Sequence, residues 1–277
     1  MLTRVVEGPR RVVREIRAAA PLLRELAAPT TVRGPWLAAA LHAAPAPVPR
    51  VRHRAVVVEA HRQGRPAGLA LLSSRVEVRR GRPVTVFRLL GDPGPAGPPG
   101  VAPRRLPVAD PDVAVHLADG VADLLATTRG RWQLHLTGLP LGDPVLAALG
   151  ARLGTGAVFQ TSRSRSLVDS LDTVGPVLRS TRPADLERWL PTFLDHRPAG
   201  ARRADLRALA RVHAAAGSLE HAVVLDGGRP RAGLLTVLDG ASRRPWWGFG
   251  QPGGAATAPG QPWVALAASG RGRQSSS

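Results

Sequence analysis

The stretch Ala55–Leu72, AVVVEAHRQGRPAGLALL, returns with little change as Ala222–Leu238, AVVLDGGRPRAGLLTVL. Each copy is an apolar run, a polar break and a second apolar run. Short apolar runs separated by Gly, Pro and Asp are the pattern of a strand, a tight connection and a returning strand. Gly64-Arg65-Pro66 supplies the connection in the first copy and Asp226-Gly227-Gly228 in the second. The two copies lie about 165 residues apart in a chain of 277, which predicts a unit that occurs twice.

The surroundings of the first copy read as a mixed unit. Val12, Ile16, Ala19, Leu23 and Leu26 recur at helical spacing between Pro9 and Ala28, with Pro21 expected to kink or split the helix. Its other face is rich in Arg, so it reads either as a helix packed on the body or as one that meets a membrane surface or a partner. Trp36 to Ala43 reads as a short helix ended by APAPVPR. After the hairpin, RVEVRRG and TVFRLLGD add strands and complete an antiparallel meander. GDPGPAGPPGVAP, with Gly91, Gly94, Gly97 and Gly100, has too few triplets for a triple helix and reads as a loop. Asp110-Pro111 and Asp143-Pro144 are cap-and-proline helix starts on either side of the strand-like RWQLHLTGL.

The second half restarts with two helices, TRPADLERWLPTFLDH and ARRADLRALARVHAAAG, followed by the second hairpin and the strand RRPWWGFGQP. The fold class this implies is α+β. The expected division is an N-terminal basic amphipathic helix over 1–30, a first unit over 31–166, a second, partial unit over 167–254 and a disordered tail over 255–277.

Composition limits the chemistry. Apolar residues make up 44% of the chain, enough for a core, and no apolar run approaches the roughly 18 residues of a membrane span. There is no cysteine, which excludes disulfides, thiolate metal sites and a cysteine nucleophile. The N-terminus lacks a secretory pattern, and Glu7, Glu15 and Glu25 argue against an organellar leader, so a cytoplasmic location is expected. The net charge of +18 coexists with an absence of Lys, Asn and Tyr and a single Ile, Ile16. That pattern suits a G+C-rich coding bias, yet the positive field still attracts phosphate-bearing partners at low salt. The eight histidines show no metal-ligand spacing, and no metal is expected. Ser73 and Ser74 lack the Gly-x-Ser-x-Gly elbow of a serine hydrolase.

Taken in order, GRPAGLALL, FRLLGDPG, WQLHLTGLP, DLERWLPTFLDHRP and VLDGGRPRAGLLTVLDG followed by WWGFG resemble the GNAT (N-acetyltransferase) superfamily in tandem form. Fem-type peptidyltransferases and the cellulose-biosynthesis-type acetyltransferase-like proteins are the branches it looks like. The resemblance spans roughly Trp36 to Gly250. It implies, in each unit, a mainly antiparallel sheet that splays at its centre, with acyl-CoA (acetyl-CoA) in the splay and its pyrophosphate at a helix N-terminus. It implies acyl transfer to an amine of a small molecule or cell-envelope precursor, or transfer from aminoacyl-tRNA in the Fem branch. In the first unit it assigns cofactor binding to Gly91, Gly94, Arg104 and Arg105, although the prolines between them remove amide donors.

The second unit departs from the family, because only about 27 residues follow WWGFG where a glycine cradle, a helix and further strands belong. Either the chain is truncated or that unit is structural, and a non-catalytic remnant or binding module is the alternative reading. An incomplete sheet exposes an edge, from which a homodimer is expected. For acid–base chemistry the candidates are Asp195, His196 and Glu59, each with an ordinary reading as a helix terminus or a solvent-facing strand residue. Arg197 is a candidate substrate contact. Trp246 and Trp247, consecutive on a strand, are expected to point to opposite faces, one into the core and the other toward an acceptor or a base.

Overall fold

The computed structural model describes residues 1–28, 30–42, 51–60, 64–91, 105–239, 242–250 and 256–272. Among these, residues up to 162 together with 262–272 form one compact unit and residues 163–261 a second. Both are α+β.

The first unit opens with β1 (Leu2–Glu7), which the sequence did not announce; a six-residue strand with a half-exposed pattern carries little periodic signal. Two short helices follow, α1 (Pro9–Ala18) and α2 (Ala20–Glu25), the break falling beside Pro21 as expected. Then come α3 (Gly34–His42), β2 (Arg52–Glu59), β3 (Pro66–Arg79) and β4 (Arg82–Leu89). RVEVRR is not a separate strand but the second half of β3, which runs unbroken for 14 residues. The helix α4 (Pro111–Ala126), the strand β5 (Arg131–Leu139), the helix α5 (Pro144–Leu153) and the strand β6 (Ala157–Leu167) complete the forward run.

The seven-stranded sheet has the order β1-β2-β3-β4-β5-β11-β6, where β11 is Thr257–Arg271. This overturns the expectation of a disordered tail for residues 257–271; residues 255 and 273–277 lie outside the described residues. Gly-, Ala- and Ser-rich sequence reads as irregular, but Val264, Leu266 and Ala268 are buried in alternation. Small side chains are what the position between β5 and β6 accepts: a Cβ on Gly270 would lie 2.5 Å from Trp132 Cζ2. One face of the sheet packs on α4 and α5 through Phe87, Leu117, Leu125, Leu134 and Leu136. The other is covered at its β2–β3 end by α1 and α3 through Val12, Ile16, Leu37, Ala55 and Leu71.

In the second unit β7 (Val177–Ser180), α6 (Pro183–Asp195), α7 (Arg203–Ala215), β8 (Leu219–Asp226), β9 (Arg229–Asp239) and β10 (Ser242–Phe249) build a four-stranded antiparallel sheet of order β10-β9-β8-β7. The repeated phrase forms β2–β3 in one unit and β8–β9 in the other, and the likeness extends to a defect. The first hairpin shifts register between Val58 and Glu59, opposite Gly68 and Pro66; the second shifts between Val224 and Leu225, opposite Ala232 and Pro230. A bulge beside a proline at the same place in both hairpins is a shared design rather than a composition effect. Among the described residues no helix is long and apolar enough to cross a membrane.

Candidate functional site

In the first unit's sheet β1–β2, β2–β3, β3–β4 and β5–β11 pair antiparallel, and one pair among the described residues departs from this. β4 and β5 run parallel, joined by the crossover through α4, with register from Val84↔Arg131 to Arg88↔His135. There the pairing ends. β5 continues to Leu139 against β11, whereas the chain leaves β4 through Leu90, whose N–H donates to Leu71 O, and turns at Gly91. Gly91 has φ 75°, and its carbonyl accepts the indole N–H of buried Trp36 at 3.0 Å. A parallel pair that parts at its C-terminal end leaves a slot between two strand edges, each with backbone groups to offer.

The chain returns at Arg105 and fills part of the space that β4 vacates. Leu69 N–H donates to Pro107 O at 3.0 Å, Ala109 N–H donates to Ala67 O at 2.8 Å, and Val108 bridges Gly68. Gly68 has to be a glycine here, since a Cβ would lie 2.6 Å from Val113 Cγ1 of α4. Buried Asp143 fastens this segment to α5. Its carboxylate accepts from Val145 N at 3.0 Å and Leu146 N at 3.1 Å, and the Leu106 amide also bonds it. Burial raises the Asp143 pKa, with these N–H bonds and the field of Arg105 pulling the other way. A cavity of about 290 Å³ opens between Arg105–Val108 and Pro140–Pro144 at this end of β5.

The start of α4 bears directly on anion binding. Asp110 caps the helix through Val113 N at 2.8 Å, Pro111 contributes no N–H, and Asp112 stands in the first turn. A helix start whose free donor is taken by its own carboxylate, with a second carboxylate beside it, repels a pyrophosphate rather than cradling one.

His135 stands where the two strands part. It occupies the last β4–β5 pair, is half-buried, and has Nε2 3.5 Å from Gln133 Oε1. Its pKa is lowered, first by burial and then by Arg88 and Arg79, with Glu77 acting in the opposite sense. The ring is therefore neutral at pH 7 and able to accept a proton.

The residues singled out from sequence fall in separate places. Glu59 is engaged by Arg4, whose guanidinium bonds Glu59 Oε1 at 2.7 Å and also Glu15 Oε2 at 2.7 Å; these two carboxylates raise the Arg4 pKa. Gly91 is at the turn after β4 and Arg105 lines the cavity, while Gly94 and Arg104 lie outside the described residues. Asp195, His196 and Arg197 sit at the end of α6 in the second unit. Asp195 pairs with Arg203 at 2.6 Å, His196 stacks on Phe249 at 4.6 Å and has Nδ1 3.0 Å from Thr192 O, and Arg197 is exposed. Glu59 therefore belongs to one unit and Asp195 and His196 to the other.

Trp246 and Trp247 are both buried, each 1% exposed, contrary to the expectation that one would face a cleft. A register shift between Pro245 and Trp247 breaks the alternation, so Trp246 packs against His213 and Trp247 against Phe193. Sequence reasoning missed His135 and the Arg105–Ala109 segment. The apolar LPVA before the Asp110 cap was the available signal for the segment; nothing local marked His135, whose place depends on a non-local strand pair.

No family model matches the chain, and no curated protein matches it. Among solved structures it is similar to a tandem GNAT protein from the clavulanic acid biosynthesis pathway, solved without AcCoA, at 14% identity and TM-score 0.36 over 97% of this chain and 98% of that one. It is also similar to a conserved protein of unknown function from Enterococcus faecalis V583, a probable N-acyltransferase, at 9% identity and TM-score 0.34 over 96% of this chain and 72% of that one. Superpositions at these scores are loose, and the functional reading rests on the geometry of the β4–β5 slot.

Proposed function

We propose that the first unit is an N-acyltransferase of GNAT type, taking an acyl thioester of the coenzyme A class into the β4–β5 slot and passing the acyl group to an amine. The observation that carries this is the single parallel pair, parting at His135, with the cavity at Pro140–Pro144 beyond it. An extended donor arm bearing amides can add to such edges as a strand does. The pyrophosphate is not assigned to the start of α4, because Asp110 and Asp112 stand there; Arg105 is the cation at the mouth.

In the reaction the amine nitrogen attacks the thioester carbonyl carbon, a C–N bond forms and the C–S bond breaks. Sulfur leaves as a thiolate; in this reading the proton lost by the amine goes to His135, which then returns a proton through solvent to the sulfur, giving the thiol and the neutral ring. Rate then comes mainly from holding the two reactants in the slot. The second unit repeats the β-α-α-β-β-β portion alone among the described residues and supports the chain without a slot of its own.

Thiol release from acetyl-CoA with a panel of primary amines tests this, and the cysteine-free chain gives the thiol probe no background. His135→Gln should lower turnover by about tenfold or more while leaving donor binding intact. Since the His135 pKa lies below its ordinary 6.5, protonation of His135 should add its own fall in rate only in solution more acid than that, separate from the fall that protonation of the amine gives at higher pH and absent in His135→Gln. Absence of both turnover and donor binding would reject the proposal. Binding without turnover would favour the second reading, a non-catalytic binding unit, for which the engagement of Glu59 by Arg4 and of Asp195 by Arg203 is the specific support.

A further inference from the structure

At the opposite end of the parallel pair, where β4 and β5 begin, the sheet face away from α4 and α5 is strongly basic. A cavity of about 660 Å³ there is lined by Arg79, Arg80, Arg82, Val84, Arg131 and Gln133. A second of about 320 Å³ shares Val84, Arg131 and Gln133 with it and extends across β11 to Ser269 and Arg271. The two form one trough across β4, β5 and β11, with Arg131 common to both.

Its charge is largely uncompensated. Glu77 pairs with Arg75 at 2.6 Å and with Arg79 at 2.8 Å. Among the described residues, Arg80, Arg82, Arg131 and Arg271 have no carboxylate partner. The β3–β4 turn adds an independent sign. Arg80 has φ 51° and Gly81 φ 71°, the left-handed pair of a two-residue hairpin. Glycine would adopt the first position without strain, whereas arginine meets a steric cost there. The cost goes with a guanidinium placed over the trough.

We propose that this trough binds the phosphates of a small polyphosphate ligand, inorganic triphosphate or a nucleoside triphosphate, through Arg82 and Arg131 in the shared region with Arg80 and Arg271 at its two ends. Arginine suits the task because its planar fork makes paired bonds to phosphate oxygens and keeps its charge at every accessible pH. A concave site of this size fits a compact ligand. Gln133 of the trough approaches His135, but Arg82 and Arg131 line the trough and not the cavity at Pro140–Pro144, so triphosphate binding and donor binding are read out by different variants.

The test is calorimetric titration of the full chain with inorganic triphosphate and, separately, ATP, in about 150 mM salt so that nonspecific attraction is screened. The proposal expects one ligand per chain. It expects R82Q/R131Q to weaken binding about tenfold or more and the charge-matched R10Q/R17Q on α1 to change it by less than about twofold. Equal affinity for the two ligands identifies the phosphates as the whole determinant; tighter ATP binding adds a nucleoside contact, and either supports the site. Equal weakening by both variant pairs, more than one ligand per chain, or no binding at this salt would overturn it. So would a single-stranded RNA of about 12 nucleotides that binds about a hundredfold tighter through the same arginines, which would make the face a nucleic-acid surface.

Discussion

Gly120 sets two opposing effects against each other at one Cα. A Cβ at this point of α4 would lie 2.5 Å from Thr3 Cγ2 on β1 and 2.7 Å from Val56 Cγ1 on β2. Helix propensity favours alanine by about 1 kcal/mol, but forcing a methyl into a closed core costs about 1–3 kcal/mol. Val56 is fully buried, so Gly120→Ala should be net destabilising by up to about 2 kcal/mol, seen as a lower urea midpoint at unchanged slope. His213 makes a pH prediction. Burial lowers its pKa from 6.5 to about 4, so the folded chain holds it neutral where the unfolded chain protonates it. Its stabilising contribution is complete above pH 6.5 and is lost as pH falls toward 4, by up to about 3 kcal/mol. Urea titrations at the two ends of that window should show the loss, and His213→Gln should reduce it; His53 and His221, lowered in the same direction, keep it from vanishing. Side-chain partnerships of this kind were not legible in the sequence: Arg4, which holds Glu59, lies 55 positions away.

Elements with a local signal were legible. Asp110-Pro111 and Asp143-Pro144 start α4 and α5 as read, and both carboxylates cap their helices. The hairpins follow from their apolar runs and turns. What has no local signal is which strands become neighbours: the parallel joining of β4 to β5 and the placing of β11 between β5 and β6 are long-range choices. β11 was misread because its buried positions are filled by Val264, Leu266 and Ala268 among small residues, an alternation too weak to stand out. Its fit against Trp132 is testable. Gly270→Val would drive a branched side chain into the ring and should cost about 1–3 kcal/mol. Hydrogen exchange should find the amides of 257–271 protected in the wild type and loosened in the variant; free exchange in the wild type would contradict the strand.

At the scale of the whole molecule, the repeated phrase reports a repeated order of elements, since β1 to β4 and β7 to β10 are laid out alike, down to the bulge. Among the described residues only the first set is followed by a parallel strand and a slot. The charge of +18 adds a field that salt can remove, so the slot has to be distinguished from simple attraction. The measurement that does so most directly is titration with acetyl-CoA in about 150 mM salt, comparing the wild type with Leu141→Trp. Leu141 lines the cavity at the mouth of the slot and is exposed, so the larger ring blocks the entrance without burdening the core. The account predicts one-site binding that survives the salt and falls about tenfold in the variant. Binding that disappears with salt, or that Leu141→Trp leaves unchanged, would contradict it.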